Sequence, residues 1–600
     1  MYVVATAGHV DHGKSTLVRA LTGIEPDRWD EERRRGLTID LGFAWTTTPS
    51  GNPVSFVDVP GHERFLGNML AGIGPAPVVC FVVAADEGWR QQSDDHRDAI
   101  EALGIEHGVI VITRVDLAPD RVPEVTAQIR HELAGTGLRE APIVPVSAAT
   151  GDGLRELLVE LDRTLAAVPK PAVNSRIRFW IDRAFTIKGA GTVVTGTLSA
   201  GTVRSGEGLM LHGAEVAQDV TIRGVQEHGS AVPGAGPVSR VALNLRSPGA
   251  DRIHRGDVLL TPDAWQLTDV VDVRRTSGLL FDEAAPGVVV HIGTAALPGR
   301  VRPFDDSTAR LTLSRPLPLT IGDRMILRNN GSQRIAGGVQ VLDVDPPALR
   351  RRGDGRRRGA ALRAARPTGD ARAEVARRGA VRSADLRRLG VDVPVEPVDG
   401  LRSVADWWID EGALQDWSRR LRAAVEADRT RNPLSSGLSH KAAGDAVALP
   451  DLSLLSAVVR EAGLVLRGAS VTTADGADDL GAAEEAVAEV ERRLRADPFA
   501  APEADELAEL GLGRRELAAA ERTGRLLRLG DGVVLLPTAP ARAMRELARL
   551  PGAFTTSEAR RALRTTRRVA IPLLEHLDGR GWTRRIDAGH RTVVRAGGEG

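Results

Sequence analysis

The chain has 600 residues, more than one hydrophobic core can organise, so about four domains are expected. Its 79 basic and 79 acidic side chains cancel to a formal net charge of zero, which leaves any affinity for nucleic acid to local patches. A single cysteine, Cys80, excludes an internal disulfide framework, the longest apolar run (77–85) is too short to cross a bilayer, and the start lacks a basic segment ahead of an apolar one; the expectation is a cytoplasmic protein with no membrane association.

Residues 1–172 alternate between strand-like and helix-like patterns. Strands are expected at 2–7, 54–57, 78–84, 108–113 and 143–146, with helices at 16–22, 94–103 and 123–133. Such alternation predicts an α/β domain whose parallel sheet is covered by helices on both faces, with ligands at the carboxyl ends of the strands.

Between the first strand and the first helix stand Gly8, His9, Val10, Asp11, His12, Gly13, Lys14 and Ser15, followed by Thr16. In that position successive backbone N–H groups form a concave anion site at a helix N-terminus. Lys14 then reaches the outer phosphates, and the Ser15 hydroxyl binds a magnesium ion. The chain retains only four lysines, Lys14, Lys170, Lys188 and Lys441, a hint that position 14 needs a compact ammonium.

The arginine-rich stretch 33–39 reads as a mobile loop, from which Thr38 supplies a second hydroxyl to the magnesium when the terminal phosphate is present. After the 54–57 strand, Asp58 is placed to hold the ion through water. The Gly61 N–H can sense the terminal phosphate, since only glycine allows so close a backbone approach, and His62 can orient an attacking water. Thr113, Arg114 and Asp116 end a further strand; an aspartate there accepts two N–H groups from the guanine edge, which adenine does not offer. Ser147 and Ala148 cap the same pocket. Taken in this order, the motifs describe a GTP/GDP switch.

On residues 8–16, 35–39, 58–63 and Asp116 the domain resembles a translational GTPase of the elongation factor Tu class. The resemblance implies that His62 is catalytic and that Val10 and Ile39 form a hydrophobic gate beside it. One departure stands out: the usual Asn-Lys-x-Asp guanine motif is here Thr113-Arg-x-Asp116. Asp116 keeps the base choice, and Arg114 offers a flat guanidinium to stack on the base.

From 173 to 346 helical patterns give way to short glycine-broken alternations, which predict two β-barrels, 173–262 and 263–346. The run 181–197 resembles the second domain of that GTPase class, and more narrowly the selenocysteine-specific elongation factor. That resemblance assigns Asp182, Arg183 and Arg240 to a selenocysteine pocket. A selenol, mostly ionised at neutral pH, is separable by charge from a serine hydroxyl.

Residues 347–367 read as a basic linker, either a solvated spacer or a nucleic-acid contact. Beyond it, helix, turn, helix and hairpin recur as four winged-helix units at 368–431, 432–480, 481–540 and 541–600. Ser383 and Ser557 are expected N-caps, Pro572 is expected to delay or bend its helix, and Trp582 to pack under the wing. The last unit is the most basic. Arg560, Arg561, Arg564, Arg567, Arg568, Arg584, Arg585 and Arg591 suit phosphate contacts and stacking on unpaired bases, though many winged helices serve protein contact alone.

The family resemblance favours RNA and singles out Arg564, Arg567, Arg568, Arg584 and Arg585 as mRNA-binding. As a whole it implies a monomeric GTPase that delivers selenocysteinyl-tRNA to the ribosome at UGA codons marked by an mRNA hairpin, with hydrolysis releasing the tRNA. The alternatives are a general translational GTPase, a sulfate-activation GTPase subunit, or a nucleotide-gated nucleic-acid-binding regulator.

Overall fold

Strand β4 (Val78–Ala84) is buried along its whole length, and the N-terminal sheet is built around it. In the computed structural model, β1 (Tyr2–Ala7), β2 (Gly42–Thr47), β3 (Pro53–Asp58), β4, β5 (His107–Thr113) and β6 (Ile143–Pro145) lie in the order β2-β3-β1-β4-β5-β6. The structure describes residues 2–26, 38–189, 191–246, 249–283, 285–331, 334–432, 434–435, 437–474 and 480–594; the expected mobile stretch 33–37 lies outside these.

Neighbouring residues on one strand enter different cores, as a two-residue repeat requires. Val3, Val57 and Phe81 join one cluster with Ile100 and Ile129, while Val4, Phe56 and Cys80 join another with Leu17 and Leu161. Helices α1 (Lys14–Thr22), α2 (Leu66–Ile73), α3 (Gln91–Leu103), α4 (Val122–Glu132) and α5 (Leu154–Ala167) cover these faces. Burial, with Asp58 nearby, pushes the Cys80 thiol up to about 12, so it stays a protonated filler. The sheet is not wholly parallel as expected: β2, absent from the sequence reading, pairs antiparallel with β3. Its Gly-Phe-Ala-Trp-Thr-Thr run is too short and mixed to announce a strand.

Two closed barrels follow. Arg178–Ile187, Gly191–Leu198, Gly208–His212, Ala217–Glu227, Ser239–Arg246 and Val258–Leu260 close the first, and six strands between Leu267 and Asp343 close the second. The basic stretch expected as a linker is a helix, Asp354–Ala364, held on the second barrel. Arg358 Nε lies 2.6 Å from the fully buried Asp272, whose other oxygen accepts Arg310 Nε at 2.7 Å, and Arg358 also pairs with Asp343. Arg274 donates to the Ala365 carbonyl at 2.8 Å. Carboxylates buried in the barrel thus dictate what the arginines do, and at Arg358 they leave neither a spacer nor a nucleic-acid contact.

Contacts divide the chain into one unit of 1–374 with 381–396 and another of 375–380 with 397–600, so the division runs through the expected first winged helix. In the first unit the Ile321 N–H donates to the Leu389 carbonyl at 2.8 Å, which ties Ser383–Leu389 to the second barrel. Within the second unit, winged-helix elements share cores. Trp407, Leu421, Val458 and Val471 belong to one cluster, and Leu480 through Leu577 to another. The cuts expected at 431/432 and 540/541 therefore pass through shared cores. The last unit comprises Thr556–Ala562, Arg567–Gly579 and the hairpin Thr583–Arg585 with His590–Val593. Its cap is Thr555, in a reciprocal capping box with Glu558, and not Ser557; Ser383 is likewise the first helical residue and not the cap. Pro572 does not delay its helix, which begins at Arg567 and runs through it.

Replacing Asp272 with alanine leaves Arg310 without its buried partner and Arg358 with Asp343 alone, a change that costs about 3–5 kcal/mol. Trypsin should then cut within 350–363 much faster than in the parent protein; an unchanged digestion rate would show that the helix is held by other contacts.

Candidate functional site

The loop after β1 is shaped by what lies beneath it. Gly8 has φ +127°, and a Cβ there would sit 2.1 Å from the Val82 carbonyl oxygen of β4, so only glycine fits. Gly13, also left-handed, precedes α1, and the loop between them borders a cavity of about 740 Å³. Val10, Asp11, Gly13, Lys14, Ser15, Thr16, Thr38, Gly61, Thr113, Arg114, Asp116 and Ala148 line this cavity. The sequence reading thus brings most of its nucleotide residues to one place, at the carboxyl ends of β1, β3, β5 and β6.

Lys14 Nζ donates to the carbonyls of Gly8 (2.9 Å) and His9 (2.8 Å). Gly61 lies against it: a Cβ at 61 would be 2.5 Å from both Lys14 Nζ and the Val10 nitrogen. Three oxygens gather beside them. Ser15 Oγ donates to Asp58 Oδ2 at 2.6 Å and lies 2.9 Å from Thr38 Oγ1. Asp58 is fully buried, and its other oxygen accepts Thr6 Oγ1 at 2.7 Å. Two hydroxyls and a carboxylate are a hard oxygen set, and they fit the magnesium ion expected here.

The departure in the guanine motif has a structural explanation. Thr113 Oγ1 donates to the His12 carbonyl at 2.7 Å, and Arg114 donates to the Asp11 carbonyl. Both side chains pin the loop between β1 and α1 from the carboxyl end of β5. Arg114 Nη1 also pairs with Asp86 and Glu87, each at 3.1 Å. Ser147 lies below the cavity wall: it is buried, and its Oγ accepts the Thr150 N–H at 3.1 Å, so it shapes the turn that presents Ala148. Ala149 lines the cavity beside Ala148, at the end of the strand expected to cap the pocket; Arg19, Glu25 and Leu117 also line it and were missed. For Leu117 the available signal was a large apolar side chain directly after Asp116, now 67% exposed.

His62 caps the turn Glu63–Phe65, with Nδ1 accepting the Arg64 N–H at 3.2 Å, which leaves Nε2 for chemistry. His9, His12 and His96 are a different matter. Burial, reinforced by His9 and Lys14, pushes His12 down to about 3, and burial likewise lowers His9 and His96. Among the described residues, His9, His12 and Glu87 form the one metal-spaced group of His, Cys, Asp or Glu, but Glu87 already pairs with Arg114 and Arg90.

A second constellation lies where β2 meets the first barrel. Pairing of Arg178–Ile187 with Gly191–Leu198 shifts register between Ile181 and Arg183, so Asp182 is the extra residue of a bulge. Asp182 is buried and accepts Thr195 Oγ1 at 2.6 Å and both amino groups of Arg240, one at 2.9 Å. The Arg240 guanidinium sits 3.8 Å above the Phe43 ring of β2, with that of Arg183 at 5.0 Å. Arg255, unnoticed in the sequence, joins them by donating to the Asp182 carbonyl at 3.1 Å. Lone arginines carry no spacing signal, and the fold alone could reveal it.

The arginines of the last winged helix separate into two groups. Arg564, Arg567, Arg584 and Arg585 are exposed, as are Arg560 and Arg561. Arg568 instead donates to the carbonyls of Ala501 (2.8 Å) and Pro502 (3.1 Å) and pairs with Glu503, so it docks one segment on another. Arg591 is buried against Asp578 at 2.9 Å and is no nucleic-acid contact. Trp582 packs on the shared core, as expected.

A histidine whose folded pKa lies below its unfolded value binds its proton more readily when unfolded. For His12, stability should therefore fall as pH drops from about 6.5 toward about 3, by up to about 1.4 kcal/mol per pH unit, and His9 and His96 act in the same direction. Calorimetry between pH 7 and 5 should show this slope, reduced by one proton's worth in His12→Gln. Equal slopes would mean that His12 takes up its proton without unfolding.

Comparison with known proteins places these features. Residues 1–167 match the model of the elongation factor Tu GTP binding domain, 273–348 that of the selenocysteine-specific elongation factor β-barrel domain, and 545–592 that of the elongation factor SelB winged helix. The chain is 36% identical over 390 residues to the selenocysteine-specific elongation factor of Escherichia coli, covering 64% of this chain and 62% of that one. It is 38% identical over 354 residues to that of Desulfomicrobium baculatum, covering 56% and 55%. These matches span only about three fifths of the relatives' own length. The crystal structure of a bacterial selenocysteine-specific elongation factor superposes with a TM-score of 0.79 at 25% identity, covering 99% of this chain and all of that one. With a GTP-binding domain of the elongation factor Tu class, two closed barrels and terminal winged helices, the chain is built like the selenocysteine-specific elongation factors that it matches.

Proposed function

We propose that this protein is a cytoplasmic, monomeric GTPase that carries selenocysteinyl-tRNA to ribosomes paused at a UGA codon marked by an mRNA hairpin. The observation that carries the reading is the cationic pocket at the barrel bulge, where Asp182 orients Arg240 and Arg183 stands beside it over Phe43. A selenolate entering this pocket meets guanidinium charge in a partly buried site, whereas a seryl hydroxyl gains little from it.

At the nucleotide, Asp116 selects guanine and Lys14 binds the outer phosphates. Ser15, Thr38 and Asp58 would hold magnesium, which neutralises charge developing on the phosphate oxygens. His62 positions a water for attack on the terminal phosphorus; the bond to the bridging oxygen breaks, and GDP and phosphate result. Both gate residues are held by their backbones: the Val10 N–H donates to Gln92 Oε1 at 3.3 Å, and the Ile39 carbonyl accepts Asn68 Nδ2 at 2.8 Å. No single helix among the described residues is long and apolar enough to cross a membrane.

The central test is binding of selenocysteinyl-, seryl- and cysteinyl-tRNA to the GTP-bound protein. Preference for the selenocysteinyl form is expected, and equal affinity for all three would sink the reading. His62→Ala should slow ribosome-stimulated hydrolysis by about 100-fold or more while nucleotide affinity holds; unchanged turnover would assign the water to another group. Alanine at Arg584 or Arg585 should weaken mRNA hairpin binding and lower its salt slope by about one per residue. A slope equal to the parent's would remove these arginines from the RNA contact.

A further inference from the structure

We propose that Asp40 is a positioning residue that couples nucleotide state to the barrel pocket, by holding Arg183 and Arg255 only while Thr38 is engaged at the nucleotide site. The inference rests on the pocket reading above and adds to it the means by which hydrolysis releases cargo.

The geometry is a short lever. Thr38 Oγ1 lies 2.9 Å from Ser15 Oγ in the nucleotide site. Two residues later, Asp40 divides its carboxylate between barrel arginines: Oδ1 accepts Arg255 Nη2 at 2.6 Å and Oδ2 accepts Arg183 Nη2 at 3.0 Å. Arg255 completes a clamp, donating to Asn68 Oδ1 of α2 at 2.6 Å and to the Asp182 carbonyl at 3.1 Å. Asn68 in turn donates to the Ile39 carbonyl at 2.8 Å. Phe43, three residues past Asp40, carries the guanidinium groups of Arg240 and Arg183 on its ring. Six consecutive residues, 38–43, thus touch the candidate magnesium ligands at one end and both pocket arginines at the other. A segment this short, hydrogen-bonded at both ends, cannot move at one end without straining the other.

Charge supports the same division of labour. Arg183, Arg240 and Arg255 against Asp40 and Asp182 leave one net positive charge, which a single anionic cargo group neutralises. Arg183 keeps a buried Nε donor with no hydrogen-bond partner in the protein, which such a group would satisfy. Burial would raise the Asp40 carboxyl, but the hydrogen bond and charge of Arg255, with Arg183, hold it below the usual carboxylate range, so it stays ionised at neutral pH. When Thr38 leaves the nucleotide site, Asp40 is drawn off, Arg183 and Arg255 lose their partner, and the pocket loses its shape.

The test uses the full-length protein and Asp40→Asn, which keeps the shape and removes the charge. The readout is the ratio of selenocysteinyl-tRNA affinities in the GTP and GDP forms. Coupling free energies are reciprocal, so the slowing of GTP dissociation by bound tRNA must change by the same factor. Both effects should shrink by roughly tenfold or more, with GTP affinity in the absence of tRNA unchanged. A purely electrostatic role would instead tighten tRNA binding in both states and leave the ratio intact; that result overturns the proposal. If Asp40→Asn disturbs nucleotide binding itself, Arg255→Met decides, because Arg255 bonds no nucleotide-site group: a retained ratio overturns the proposal and a collapsed one supports it. In a double variant the losses should not add, since both substitutions cut one link. A parent protein that does not prefer selenocysteinyl-tRNA would defeat the functional reading, whereas a preference that survives with its ratio in Asp40→Asn defeats only the coupling.

Discussion

The buried carboxylate of Asp58 is the constraint on which the first domain turns. It sits at the end of β3 with no exposed surface, takes a hydroxyl from Thr6 of β1 and another from Ser15 at the start of α1, and through Ser15 reaches Thr38. A polar group in such a place is tolerated only with its hydrogen bonds satisfied, so the strand, the helix and the loop must all come to it. That demand sets the cavity at the carboxyl ends of the strands, and the phosphate loop closes around the same point with Thr113 and Arg114 tied to its carbonyls.

Elsewhere the chain repeats one device: a buried or half-buried aspartate that orders arginines. Asp272 holds Arg310 and Arg358, Asp182 holds Arg240, Asp323 holds Arg178 through both oxygens, and Asp40 holds Arg183 and Arg255. Arginine suits this work because its planar fork makes parallel hydrogen bonds while its face still stacks, as Arg240 does on Phe43 and Arg176 on Trp265. A composition rich in arginine and poor in lysine therefore reflects internal architecture as well as surface. The docked helix Asp354–Ala364 shows the hazard of reading an arginine run as a solvated tether.

Legibility followed locality. Gly8 to Ser15, Asp58 to His62 and Thr113 to Asp116 are contiguous motifs whose chemistry depends on neighbours in sequence, and the structure brings residues of all three to the lining of one cavity. Strands such as β4 were equally plain, because a fully buried strand must be apolar throughout. The edge strand β2 and helix α2 were not, since one face of each is covered by a partner that no local pattern announces. Arg255 was missed for the same reason. Conversely, Arg568 and Arg591 looked like RNA contacts until the fold supplied Glu503 and Asp578 to pair with them.

From the order of its residues alone, then, the chain determined that it binds a guanine nucleotide in an α/β domain, that barrels follow, and that winged helices come last. Periodicity and short motifs are properties of adjacent residues and survive without a fold. The tertiary structure alone decided which arginines are interior, that winged-helix elements share cores, and that Asp40 stands between the nucleotide loop and the barrel pocket. Those outcomes depend on charges more than a hundred residues apart in sequence, as Asp40 and Arg183 are, meeting where low exposure makes each the other's required partner.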